Sequence, residues 1–96
     1  MKAPLIRVLL IEDDEDDVLL TKEYLHESEH YHFDIKWEPD HRQAREKMTS
    51  NQYDIFLVDY MLGGENGIEL IKYVQDKGVL TPCILLTGQG DSKVDL

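Results

Sequence analysis

A chain of 96 residues holds one small domain and excludes a second full-sized one. Its 20 acidic and 10 basic side chains leave a net charge of −10, which disfavours a polyanion as partner, because nucleic-acid binding needs a concentrated basic surface and Lys and Arg are scattered here. The single Cys, Cys83, cannot form an internal disulfide, and with neither a long apolar span nor a secretory leader the expected setting is cytoplasmic and off the membrane.

Residues 6–11 (IRVLLI) are mainly branched and aliphatic, the composition of a strand covered on both faces. Six consecutive acids, residues 12–17, follow at once. From Asp17 to about Ser28, the recurrence of Val18, Tyr24 and Leu25, broadened by Leu19 and Leu20, predicts a helix. Phe33, Ile35 and Trp37 then alternate with Asp34, Lys36 and Glu38, the period of two of a half-buried or edge strand. Asp40 and Gln43 have capping-box spacing ahead of a second helix that carries Ala44 and Met48.

A second compact apolar run, residues 55–58 (IFLV), ends at Asp59, and Gly63, Gly64 and Gly67 make the next stretch turn-prone. Asn66 can cap a third helix with Glu69 at its N3 position; Ile68, Ile71 and Val74 supply the inward stripe and Gly78 marks the end. Residues 82–86 (PCILL) read as a fourth strand delivering Thr87. Three alternations of strand and helix before a fourth strand, at connection lengths that suit right-handed crossovers, predict an α/β, doubly wound parallel sheet. Its last strand is expected to be an apolar edge, open to pairing or element exchange in a homodimer.

The expected chemistry lies at the C-terminal ends of the strands, where open α/β sheets bind ligands. Glu12 and Asp13 follow the first strand, Asp59 the third and Thr87 the fourth. Carboxylates gathered there repel one another unless a cation intervenes, and all-oxygen donors suit magnesium better than zinc. A held carboxylate can also attack a phosphoryl group. Asp59 is the candidate, since it ends the most hydrophobic strand and precedes a glycine-rich loop. Asp13 would then bind the metal directly, Glu12 directly or through metal-bound water, and Met61 through its main-chain carbonyl. The Thr87 hydroxyl would donate to a phosphoryl oxygen. The glycines have neither P-loop nor dinucleotide spacing, and His26, His30, His32 and His41 form no zinc-ligand pattern. Asp14 to Asp17 read as solvated or helix N-terminal charge, Cys83 as an inert thiol and Trp37 as sheet packing.

The segments VLLIEDD, IFLVDYMLGGENGIELI and PCILLTG resemble the receiver domain of two-component response regulators, over about residues 7–90. That resemblance implies a flavodoxin-like fold with strand order 2-1-3-4-5. It implies Glu12 and Asp13 as the acidic metal pair, Asp59 as the phosphorylated aspartate, Met61 as the residue whose main chain binds metal, Gly67 as the glycine opening the third helix, and Thr87 as the switch hydroxyl. It further implies magnesium-dependent acceptance of a phosphoryl group from a histidine kinase or histidine phosphotransfer protein, and its loss by hydrolysis near Gln89 and Met61. Such a domain is a switch more than an enzyme with a diffusible substrate.

Two departures from the family pattern stand out. Met61-Leu62 and two glycines replace the usual Met-Pro, which predicts a less restrained loop. The family's fourth helix, fifth strand and fifth helix are expected to be missing, since few residues follow Gly90, and Lys93 lies too soon after Thr87 to match the phosphate-contacting lysine. The main alternative is a receiver-like interaction module that works without phosphorylation. A haloacid-dehalogenase-type phosphatase is weaker, because Asp59-Tyr60-Met61 lacks the second aspartate of D-x-D, and a flavin site is disfavoured by the acids themselves.

Overall fold

In the computed structural model, which describes residues 4–86, the N-terminal aliphatic run becomes strand β1 (Leu5–Ile11), and Val8, Leu9, Leu10 and Ile11 are all buried. A strand hidden on both faces needs neighbours on both edges and helices above and below. Those are supplied in chain order by α1 (Glu15–His26), β2 (His32–Glu38), α2 (His41–Met48), β3 (Ile55–Asp59), a small hairpin of β4 (Met61–Leu62) and β5 (Glu65–Asn66), α3 (Gly67–Asp76) and β6 (Cys83–Leu86). The main sheet is entirely parallel and runs β2-β1-β3-β6, with Val8 beside both Ile35 and Ile55, and Val58 beside Leu85. This is the expected doubly wound arrangement, with the chain reversing direction across the sheet between β2 and β3.

Period-two alternation along β1 splits the core in two. Leu9 and Ile11 join Phe56, Val58, Met48, Leu70 and Val74 beneath α2 and α3. Val8 and Leu10 join Leu57 and Val18 on the α1 side, with Ile35, Trp37 and Leu86 packed around them. Among the described residues, the two outer strands differ as their sequences do. Strand β2 alternates exposed and half-buried residues until Glu38, whereas β6 is apolar with Ile84 47% exposed.

Helix α1 begins two residues before the expected Asp17. Asp14 caps it, accepting from the Asp16 N–H at 2.9 Å, and Glu15, Asp16 and Asp17 occupy the first turn, where the helix dipole favours negative charge. The acidic run is therefore partly helix rather than all loop. Asp40 caps α2 as expected, through the Arg42 N–H at 2.8 Å, and Asn66 caps α3 through the Glu69 N–H at 2.9 Å. Gly78, at φ 85°, lies just beyond α3, where a left-handed residue lets the chain turn away.

Candidate functional site

Strand β1 hands its last constraint to Glu12. The Glu12 N–H donates to the Glu38 carbonyl at 3.2 Å, and the Trp37 indole N–H donates to the Glu12 carbonyl at 2.6 Å. Both main-chain polar groups of Glu12 are thus held by consecutive residues of β2. Its carboxylate, on a residue only 3% exposed, accepts from the Asp14 N–H at 3.1 Å, and Asp13 beside it is exposed. Trp37 therefore supports the site as well as packing on the sheet. No local pattern marks that role, because the bond joins residues 25 positions apart.

Strand β3 delivers Asp59, 6% exposed. The main chain behind it is fully engaged: the Tyr60 N–H donates to the Leu86 carbonyl at 2.8 Å, and the Gly67 N–H donates to the Tyr60 carbonyl at 2.7 Å. A β-carbon at Gly67 would lie 2.3 Å from the Asp59 carbonyl oxygen and 3.0 Å from a Val58 methyl, so only glycine lets α3 begin this close to the site.

The loop between Asp59 and α3 is more restrained than its two glycines suggest. Met61 pairs with Asn66 and Leu62 with Glu65 in an antiparallel hairpin whose tip uses Gly63 at φ 61°. Leu62 is buried in the core, and the Glu65 carboxylate takes two hydrogen bonds from Arg45 Nη2, at 2.9 and 2.8 Å. Side chains from α2 and the core thus hold the segment that carries two glycines after Leu62. Arg45 and Glu65 were silent in the sequence, since their pairing spans 20 residues and runs through four elements, from α2 to β5.

Carboxylate oxygens of Glu12, Asp13 and Asp59 lie within 4.8 Å of one another. Burial pushes the Glu12 carboxyl up to about 8, and the neighbouring Asp59 adds to that rise. Burial also raises Asp59, against hydrogen bonds from Glu12 and from the Met61 and Tyr60 N–H groups, which favour its charged form. Asp17, on the first turn of α1, is raised by burial and by Asp14 and Asp59. An all-oxygen set of closely spaced, partly desolvated carboxylates fits a hard divalent ion of the magnesium type.

The expected residues Glu12, Asp13 and Asp59 are thus brought together, with Met61 two residues along the same loop. Thr87, Gln89 and Lys93 lie outside the described residues. A cleft of about 440 Å³ opens beside Glu12 and Asp17, walled by Leu57, Leu85 and Leu86. A larger cavity of about 620 Å³, around Met48, Tyr73 and Val79, shares no residue with the carboxylates.

Residues 8–95 match the response regulator receiver domain family. The response regulator ArlR of Staphylococcus saprophyticus is 33% identical over 86 residues, covering 90% of this chain and 37% of that protein. The transcriptional regulatory protein TrcR of Mycobacterium tuberculosis is 32% identical over 90 residues, covering 94% of this chain and 34% of that protein. The chain thus spans little more than a third of these curated relatives. Among solved structures, the receiver domain of the Francisella response regulator 1452 superposes with a TM-score of 0.74 at 25% identity, covering 92% of this chain and 70% of that one. The MaeR response regulator bound to beryllium trifluoride shares the fold, with a TM-score of 0.76 at 20% identity and coverage of 93% and 72%. With its parallel sheet, its carboxylate cluster at the strand ends and a match that runs through nearly all of it, the chain belongs to the response regulator receiver domain family.

Proposed function

We propose that this domain is the phosphoacceptor of a two-component phosphorelay, with Asp59 as the residue that receives the phosphoryl group. The observation that carries the reading is the buried Asp59 at the end of a central strand, with oxygens of Glu12 and Asp13 within 4.8 Å. Glu12, Asp13, Asp59 and the Met61 main-chain carbonyl would hold magnesium. When bound, that ion supplies the positive charge that offsets the carboxylates and phosphoryl oxygens.

The protein's own part follows from the geometry. Asp59 is presented as a rigid nucleophile, oriented by the Met61 and Tyr60 N–H groups that favour its ionised form. One of its oxygens bonds to phosphorus as the phosphorus–nitrogen bond of a phosphohistidine donor breaks, and the donor nitrogen keeps the electron pair. Thr87 is assigned the hydroxyl that donates to a phosphoryl oxygen, on sequence position alone. Gln89 and Met61 are assigned to the path of the hydrolytic water on the same basis.

A histidine kinase or histidine phosphotransfer protein is the proposed donor, with residues 1–96 acting as one receiver domain. No helix among the described residues is long and apolar enough to cross a membrane, and a cytoplasmic setting is part of the proposal. Among the described residues β6 is an outer strand of the sheet and its Ile84 is half-exposed, which supports pairing or element exchange between copies; sedimentation over a range of concentrations tests this.

Intact-mass analysis with magnesium and a small phosphodonor tests the central reading. The expected result is a labile gain of one phosphoryl group, lost in a folded Asp59→Asn variant. A folded native chain that binds magnesium and gains nothing overturns it. The phosphorylation-independent interaction module would then stand, and partner binding that survives Asp59→Ala would support it.

A further inference from the structure

The hairpin after Asp59 is too short to be stable alone, with two residues per strand and glycines at its tip. Its position is set from outside. The Glu65 side chain, 7% exposed, meets α2. Arg45 meets both of its oxygens through Nη2, and His41 Nε2 lies 3.4 Å from Oε2. His41 and Arg45 are one helical turn apart, so α2 presents both to the same carboxylate. The Arg45 guanidinium also lies over the Tyr73 ring of α3, 4.5 Å from its centroid. One cation thus joins α2, the hairpin and α3.

The other end of the hairpin reaches the site. Leu62, opposite Glu65, is locked into the core, and Met61, opposite Asn66, turns its N–H toward the Asp59 carboxylate. A displacement of Glu65 therefore moves the main chain that touches Asp59. Glu65 is buried in this pair while the Arg45 side chain stays 37% exposed, and desolvation of the carboxylate offsets part of the attraction. Arg45 Nε is in addition buried without a hydrogen-bond partner among the described residues. Those costs suit a pair retained for position.

We propose that Arg45 and Glu65 form a positioning clamp for the phosphoacceptor loop, setting the Met61 main chain against Asp59 and thereby the affinity for the divalent cation and the rate of phosphoryl uptake. The cation and phosphoryl parts rest on the function proposed above. Neither residue touches the reacting atoms; both act through the hairpin.

The test uses the full chain with Glu65→Gln, Arg45→Met and Arg45→Lys, each checked for folding by circular dichroism and thermal melting. Magnesium affinity is measured by titration calorimetry and by fluorescence of Trp37, the only tryptophan, whose indole is bonded to Glu12. Glu65→Gln and Arg45→Met are expected to weaken magnesium binding about 10-fold, the usual cost of losing an outer support of a metal site, and to slow uptake from a small phosphodonor. Arg45→Lys is expected to recover part of the loss, since it keeps the charge without the planar fork. Folded variants that melt earlier yet bind magnesium as the native chain does overturn the clamp and leave a purely structural pair. If one of Arg45→Met and Glu65→Gln does not fold, the other decides, and if neither folds Arg45→Gln does; native magnesium affinity in the deciding variant overturns the proposal. A native chain that binds magnesium but accepts no phosphoryl group defeats the functional reading alone, and the affinity ratios still judge the clamp.

Discussion

The two acid-bearing strand ends that meet at the site are secured by different physics. At the end of β1, Glu12 is held by hydrogen bonds from the edge strand β2, through the Glu38 carbonyl and the Trp37 indole. At the end of β3, hydrogen bonds around Asp59 are joined by close packing, with α3 starting so near that a β-carbon on Gly67 would fall 2.3 Å from the Asp59 carbonyl oxygen. Hydrogen bonds tolerate a few tenths of an ångström of adjustment, whereas backbone pressed on backbone does not. The support of Glu12 therefore has more room to adjust around an ion than the packed support of the proposed nucleophile.

The sharpest way to break that contrast is Gly67→Ala. The new methyl must push α3 or β3 aside, and we expect a loss of at least about 2 kcal/mol in denaturant unfolding, with phosphoryl uptake lost even in the folded fraction. On the β1 side, Trp37→Phe keeps most of the packing and strands the Glu12 carbonyl. A cost of about 1–2 kcal/mol is expected, together with weakened magnesium binding but retained uptake at saturating magnesium. Equal damage from both changes would erase the distinction between a rigid and an adjustable support.

Proton linkage sharpens it further. The Glu12 carboxyl titrates near 8 in the folded domain and near 4.5 when free, so between these values the folded state holds a proton that the unfolded chain has released. This contribution to stability is complete below the lower value and is lost as pH rises through about 8. Magnesium must displace the same proton, so its affinity rises with pH and levels off above about 8. Melting with magnesium and with chelator at pH values on either side checks this. A larger magnesium-induced rise in melting temperature is expected on the alkaline side, and none of this trend should survive in Glu12→Gln.

The helix caps provide a matched pair of small effects. Asp14→Ala at the β1 exit and Asn66→Ala at the β3 exit should each cost about 1 kcal/mol by thermal melting, since each removes one acceptor from a helix N-terminus. Least of all, Asp54→Ala opens the exposed Arg7–Asp54 pair at the far end of the sheet and should leave magnesium binding and uptake unchanged.

Much of this was legible in the letters. Aliphatic runs of four to six residues ended by acids marked β1 and β3, alternation marked β2 as an edge, and Asp40 and Asn66 stood where the helix caps are. These signals are local: strand periodicity, burial preference and capping act within a few residues, so a single chain segment states them. The apolar recurrence places the start of α1 two residues late, at Asp17, because the acids of the first turn carry no apolar signal although they stabilise the helix.

By itself, then, the sequence determined the strand and helix order of the main sheet but not the small hairpin after Asp59, along with the family resemblance and the acids at the strand ends. Only the tertiary structure decided that oxygens of Glu12, Asp13 and Asp59 share a space of 4.8 Å, that Trp37 braces Glu12, that Gly67 is required by contact rather than by its backbone angle, and that Arg45 grips Glu65. Each of those depends on which faces and loops the sheet brings together, and long-range juxtaposition leaves no periodicity in a chain for a reader to find.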